Sequence, residues 1–512
     1  MSLKKLDKVI LYSVPDFINN AVGNRTPIKS VHFEYDYSLC GSVPTNTEIS
    51  ENVTSFDDNG NQIVTNLNQN KGKLTLKKVY FKYGKSNKAM FSPYKFEYSS
   101  FNPNYHIKGY NRWGTYAPSS FNTYICNDLN KITSSDFCWI KQESMDSNNE
   151  NEKNNADQNA SAWNLKKIQL PSGGLINIDY EADDYSYVQD KQAMQLFEII
   201  GANNIPSYSS TGNNSIHLYN TTPNNYLFFK LARPIPSGED FRHHIYTYYL
   251  RQVITQGDLF FKVFIDLQNS GVNEYVQGYA EIEDWGATSS EIGYVKLKNV
   301  CTKDKDPYPS SGVCSGNSNV AHVISKTAWQ FARLNLPHLV YGSENFGDSE
   351  TDFVSVGNAF MNIWGSFKDM FLGGVNNKLL LEGHAKTIIK GKSWIRMSNP
   401  YGNKFAGTHR VKRILISDEW SGMTNNQHTT SQYGQEYTYT IENELNGKPI
   451  FQSSGVASFE PIIGSEDSPF KVPLQAYTQE VKCAPDNNHY IEGPLEESLF
   501  PSPNVIYSKV KV

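Results

Sequence analysis

Glu281, Glu283 and Asp284 lie beside Trp285, and this is the stretch whose residue types come nearest to a recognisable chemistry. A glycoside hydrolase uses two carboxylates, about 5 or about 6.5–9.5 Å apart, as acid and nucleophile or base. Sequence does not show that distance, and Glu281 and Glu283 alternate along an apparent strand, where charge commonly faces water. Asp57-Asp58-Asn59-Gly60-Asn61 clusters oxygen donors like part of a calcium loop. It lacks the Glu that closes an EF-hand, and Asn-Gly is itself a turn former. Asp183 and Asp184 could hold a cation or favour the start of a helix expected from Asp190. His243 and His244 are adjacent, so a helix points them about 100° apart, a poor arrangement for one shared metal. Gly-x-Ser-x-Gly, His-Glu-x-x-His and phosphate-cradling glycine loops do not occur. No catalytic residue, metal ligand or cofactor site is assigned, and the chain is expected to have no catalysis of its own.

The six cysteines are Cys40, Cys126, Cys138, Cys301, Cys314 and Cys483, and no pair has the Cys-x-x-Cys spacing of a zinc site. Cys126/Cys138 and Cys301/Cys314 are each a hairpin's length apart. Either pair could form a local disulfide in an oxidising compartment, or all four could be isolated thiols. The second pair is the better candidate, because residues 303–316 are mostly turn formers.

A net charge of −5, with Lys and Glu interspersed, gives no support for nucleic-acid binding, which needs a clustered basic face. No run approaches the roughly 20 apolar residues of a membrane helix. The first residues do not read as a signal peptide, since Val9-Ile10-Leu11-Tyr12 is too short an apolar stretch. Both ends run on strand patterns, so the chain reads as an interior piece of a longer one.

The elements that must carry these residues are mainly strands. Apolar content is only 38%, yet the chain holds 32 Tyr and 27 Phe, a balance suited to half-exposed sheet faces where a ring packs and its hydroxyl stays wet. A unit recurs: a short β-branched strand, a Gly/Asn/Asp turn, and a strand ending in Tyr. Residues 165–180, with Pro171-Ser172-Gly173-Gly174 as the turn, are its clearest copy. Residues 27–37, 74–83 running on to 94–98, and 411–439 are looser copies, each expected to be a hairpin. Asn446-Gly447 is the strongest two-residue hairpin signal. Residues 146–160 are polar, lack a large apolar anchor and are expected to be a mobile surface loop.

Residues 190–200 place Ala193, Leu196 and Phe197 on one helical face, predicting a short helix. Dense apolar strands at 226–231 and 259–265, with 274–282 and 292–297, suggest a compact β-sandwich inserted over 205–300. Between the first two, residues 239–253 have helical content. Residues 325–336 predict a helix capped by Ser325 and stopped by Pro337. Residues 353–372 carry a broad aromatic stripe expected to pack against a sheet.

Residues 165–180 resemble the YD repeat of Rhs-like proteins, which runs apolar strand, Gly-containing turn, Tyr-x-Tyr. With residues 74–83, Tyr110-Asn111-Arg112-Trp113-Gly114, 162–194, 328–333, 392–396 and 453–461, the chain is similar to interior segments of very large secreted or surface proteins of Bacteroidetes. The resemblance implies export, a β-rich body, an extracellular or cell-surface location and no catalytic residues. Partners would be the rest of a larger polypeptide or other surface proteins, with a glycan as a further option. The expected organisation is mainly β: a hairpin region over 1–160, a hairpin and short helix over 161–204, the inserted sandwich over 205–300, a loop and helical segment over 301–390, and hairpins over 391–512. The function expected is that of a structural or interaction segment. The alternative is a carbohydrate-binding or carbohydrate-active β protein, since Trp and Tyr faces stack on sugars.

Overall fold

The computed structural model describes residues 5–44, 52–56, 62–66, 72–111, 113–120, 150–209, 214–303, 312–316, 318–336, 339–340, 374–445, 448–460, 467–470, 473–475, 488–490 and 505–512. The fold is mainly β with a few helices, as the strand periodicity implies. Among the described pairings all but one are antiparallel; Gly455–Ala457 beside Tyr187–Val188 is the exception.

An eight-stranded sheet runs in the spatial order Lys8–Leu11, Lys29–Leu39, Lys73–Tyr83, Tyr94–Tyr98, Leu165–Gln169, Leu175–Tyr185, Lys404–Ser417 and Gln432–Glu436. Its best-read hairpin forms as expected. Ile168 lies opposite Ile176, and the Leu170 N–H and Gly174 carbonyl close the turn at 2.8 Å. Pro171 enters the turn and Gly173 leaves it at φ +90°, the left-handed position that a three-residue hairpin loop demands. Residues 411–439 also pair as a hairpin, Arg413 opposite Glu436. Residues 74–83 and 94–98 pair as expected, Val79 opposite Tyr94. Residues 27–37 are not a hairpin in themselves: they fall on one 11-residue strand, Lys29–Leu39, which pairs with Lys73–Tyr83. Thr440–Leu445 and Lys448–Ser453 pair with Leu445 opposite Lys448, the register of a two-residue loop; Asn446 and Gly447 lie outside the described residues.

The polar tract corrects the loop expectation. Glu150–Ala160 is a helix docked on Leu175–Tyr185. Its anchors are small or charged: Ala156 is buried, Lys153 reaches Asp157 at 3.0 Å and Glu181 at 3.6 Å, and Asp157 accepts the Ala182 N–H at 2.8 Å. A search for large apolar anchors misses such a helix.

The helix expected over 190–200 is also corrected. Lys191–Gln192 pairs with Tyr187–Val188, and Met194–Asn203 is a strand flanked on both sides, by Trp394–Ser398 and Tyr226–Lys230. Pairing of residues 194–198 with Trp394–Ser398 and of the rest with Tyr226–Lys230 outweighs three apolar residues at helical spacing.

That strand is the seam of a nine-stranded sheet which curls into a half-barrel. The apolar strands of 226–297 all form, but not as a sandwich closed within 205–300. Tyr226–Lys230 pairs with Ile292–Leu297, and Leu259–Asp266 pairs with Asn273–Ala280; Met194–Asn203 and Trp394–Ser398 lie between the two pairs. Leu227, Phe229, Leu259, Phe261, Val263 and Ile265 are fully buried in its core. The helical content of 239–253 is present, as Phe241–Ile245, a π turn at Tyr246–Leu250 and Arg251–Gln256.

The helix expected from Ser325 begins earlier, at Val323, and ends at Asn335. Its cap is His322, which accepts the Ile324 N–H at 3.2 Å, while Ser325 donates to the Ala385 carbonyl at 2.8 Å. Trp329 on this helix is buried and donates to the His384 carbonyl at 2.9 Å. Residues 353–372 lie outside the described residues.

Candidate functional site: a charged junction between the sheets

The densest chemistry in the fold lies where the two large sheets meet a small four-stranded one made of Lys191–Gln192, Tyr187–Val188, Gly455–Ala457 and Val505–Tyr507. Lys404 opens the strand Lys404–Ser417, and its side chain is wholly buried. Its ammonium donates to Glu460 Oε1 at 2.5 Å, Asp467 Oδ2 at 2.7 Å and the Met194 carbonyl at 2.9 Å. Three donors meet three acceptors, so the cation is satisfied without water. Glu460 also accepts the Tyr185 hydroxyl at 2.6 Å. Arg396 is buried nearby, donating to Tyr279 Oη at 3.2 Å and to the Ser468 carbonyl, with its guanidinium 4.6 Å from the Phe260 ring centroid. Burial lowers its pKa, opposed by Tyr279, Asp467 and Glu460. Two cations and two carboxylates thus balance in a volume closed to solvent.

A second cluster continues it. Arg410 Nε donates to Glu181 at 2.7 Å, and its Nη1 to Asp184 and, at 3.0 Å, to Tyr507 Oη. Tyr507 donates to Asp183 at 2.5 Å, Thr408 also donates to Asp183, and Ser453 donates to Asp184 at 2.6 Å. Burial alone would weaken the Arg410 charge, but Asp184, Tyr507 and Glu181 raise its pKa. Burial is also the main cause that raises the Tyr507 pKa. Gly455 passes so close that a Cβ there would lie 2.1 Å from the Asp184 carbonyl oxygen. Perturbed titratable groups often mark catalytic sites, yet these are each matched by a partner of opposite charge or a hydroxyl within the cluster. The arrangement does the work of a clamp.

Asp183 and Asp184 therefore do not start a helix; their charge is met by Arg410 and by hydroxyl donors. Glu281, Glu283 and Asp284 are each tied on a surface hairpin: to Lys298 at 2.8 Å, Lys296 at 2.7 Å and Arg242, whose guanidinium covers Trp285 at 4.5 Å. Asp258 is the acid nearest to them in effect: burial raises its pKa, and the Glu281 charge adds to that. His243 is exposed while His244 is buried and pairs with Glu239 at 3.1 Å, so the two diverge. Among the described residues no three His, Cys, Asp or Glu side chains come together to hold a metal ion. Asp57 to Asn61, Cys126 and Cys138 lie outside those residues. Cys301 and Cys314 form a disulfide, with Cα atoms 5.7 Å apart.

Sequence reasoning missed Lys404, Glu460, Asp467 and Arg410 because their partners are 56 to 275 residues distant. One signal was available: Arg396 between Ile395 and Met397 places a cation inside an otherwise apolar strand. Comparison with protein-family models, with curated proteins and with solved structures finds no match for this chain. No described helix is long and apolar enough to cross a membrane.

Proposed function

We propose that this chain is a structural and interaction segment of a large exported, Rhs-like surface protein, without catalysis of its own, joined to the rest of a longer polypeptide or to other surface proteins. The observation that carries this reading is the eight-stranded sheet, whose first six strands, from Lys8–Leu11 to Leu175–Tyr185, are added in chain order. Such a sheet makes a wall. A buried ionic clamp locks it to its neighbours, and the acids best suited to hydrolysis are held in surface ion pairs. The Cys301–Cys314 disulfide favours an oxidising, extracytoplasmic location.

The test is labelling of intact cells of the source organism with a membrane-impermeant amine reagent, followed by thiol mapping of the recovered protein. The expected outcome is surface labelling with Cys301 and Cys314 bridged. An unlabelled protein whose two thiols alkylate freely would overturn the proposal. A carbohydrate-binding role is the second reading, favoured by a polar cleft on the half-barrel.

A further inference from the structure

The cleft lies where Met194–Asn203 leaves the half-barrel, between the loop 204–209, the strand Ser215–His217 and the loop that follows it. Its volume is about 410 Å³, toward the small end of the roughly 300–1,000 Å³ of small-molecule sites. Among the described residues its lining contains amides, hydroxyls, a histidine and two aromatic rings, and no Asp, Glu, Lys or Arg.

The walls are built. Tyr208 leans on Phe228 with ring centroids 5.6 Å apart. Gly201 makes room for the Tyr208 ring: a Cβ there would stand 3.1 Å from it. Asn203 donates to the Ser207 carbonyl at 2.9 Å, and Asn224 to the His217 carbonyl at 2.8 Å, so both rim loops are pinned. His217 bonds Thr387 Oγ1 at 3.0 Å. Burial, and then Lys386, lower its pKa, which favours the neutral imidazole.

We infer that this cleft binds an uncharged, hydroxyl-rich ligand of one or two sugar rings. A sugar hydroxyl both donates and accepts, and so does each amide, serine or threonine of the rim. The Tyr208 face offers a surface for the apolar C–H side of a sugar ring. A phosphate or carboxylate ligand would find no cation among the lining residues, and a lipid chain would strand the rim's polar groups. The inference rests on the second reading above and gives it a location.

Titration calorimetry of the whole chain with neutral mono- and disaccharides, and with the matching sugar phosphates and uronic acids, tests it. Binding of at least one neutral sugar is expected, with its charged counterpart about tenfold weaker or more. Tyr208→Ala and, separately, Asn220→Ala on the exposed rim should each weaken binding about tenfold while leaving the melting temperature in place. Sugar binding that survives both substitutions would sink the cleft and leave the second reading standing elsewhere on the surface. No binding across the panel would sink both, while the scaffold proposal would keep its own test. Preference for the charged sugars would overturn the ligand class.

Discussion

The eight-stranded sheet and the half-barrel are both antiparallel, yet they are held together by different means. Most residues of the sheet are only half-buried, its outer strand Gln432–Glu436 is exposed along its whole length, and its first six strands follow one another in chain order. In the half-barrel the order is scrambled, residues 387–398 entering among strands of 194–297, and Leu259 to Phe261 are at most 1% exposed. Backbone pairing and local turns carry the first, while desolvated apolar volume carries the second. The junction around Lys404 is where a region of the first kind is fastened to one of the second.

The largest effect should follow from breaking that fastening. Lys404→Ala leaves Glu460 and Asp467 buried without their cation, and removing one member of such a group costs about 3–5 kcal/mol. Lys298→Ala breaks an exposed pair with Glu281 and should cost less than about 1 kcal/mol. Denaturant unfolding of the two variants measures both, and equal losses would show that the junction is not a clamp.

Core truncation sharpens the contrast between the two regions. Phe229→Ala in the half-barrel opens a cavity in a fully buried site, for which about 3–5 kcal/mol is usual. Ile176→Ala, half-buried opposite Ile168, should cost nearer 1 kcal/mol, about the average for point changes. If Ile176 proved the costlier of the two, the sheet would have a hidden partner on its half-wet face.

This difference also decides what could be read in the sequence. The hairpin at residues 165–180 was legible because its pattern, Pro171 and Gly173 all lie within sixteen residues and agree. The strands at 226–231 and 259–265 were legible as strands from their apolar density. Their antiparallel partners at 274–282 and 292–297 were legible too, but the strands on their other edges were not, because a strand buried on both faces carries no mark of which distant edge it will join. Met194–Asn203 was mistaken for a helix for that reason: its strand character is conferred by Trp394–Ser398, some two hundred residues on. The helix Glu150–Ala160 was missed because its docking rests on Lys153 and Asp157, whose partners Glu181 and Ala182 have no meaning until the sheet exists.

Acid should find the half-barrel before the sheet. His322 is fully buried at the cap of the Val323–Asn335 helix, and burial pulls its pKa down to about 3. The folded-state value is below the unfolded one near 6.5, so the unfolded chain binds the proton first as pH falls. The group leaves stability untouched above about pH 6.5 and removes it progressively between there and about pH 3. The loss amounts to about 2 kcal/mol at pH 5. His217 and His384 at the half-barrel, both lowered by burial, push the same way, while His32 and His409 give the sheet a response of the same sign without a shift as large as that of His322. His322→Asn keeps a good cap but cannot take up a proton, so its stability should fall less steeply from pH 6.5 to pH 5. A slope identical to that of the parent protein would show that His322 does not control the acid response.

The most local expected effect is at the hairpin that the sequence announced most clearly. Gly173 sits at φ +90°, whereas Gly174 has no such backbone demand and comes closest to the Ser417 carbonyl oxygen, 3.2 Å from where its Cβ would be. Gly173→Val forces a β-branched residue into the left-handed region, at about 1–3 kcal/mol. Gly174→Ala needs the Ser417 carbonyl to yield by a few tenths of an ångström and should cost less. Because the sheet is held strand by strand, the penalty should appear locally, as faster amide exchange at Gln169 and Leu175 and as protease cleavage near residues 170–174. The half-barrel amides should stay protected. If Gly173→Val instead loosened both regions equally, the Lys404 junction would be transmitting the strain, and the sheet and half-barrel would unfold as one cooperative unit. If it left exchange unchanged but abolished binding of a surface partner, the turn would be a recognition loop, contrary to the wall role proposed here.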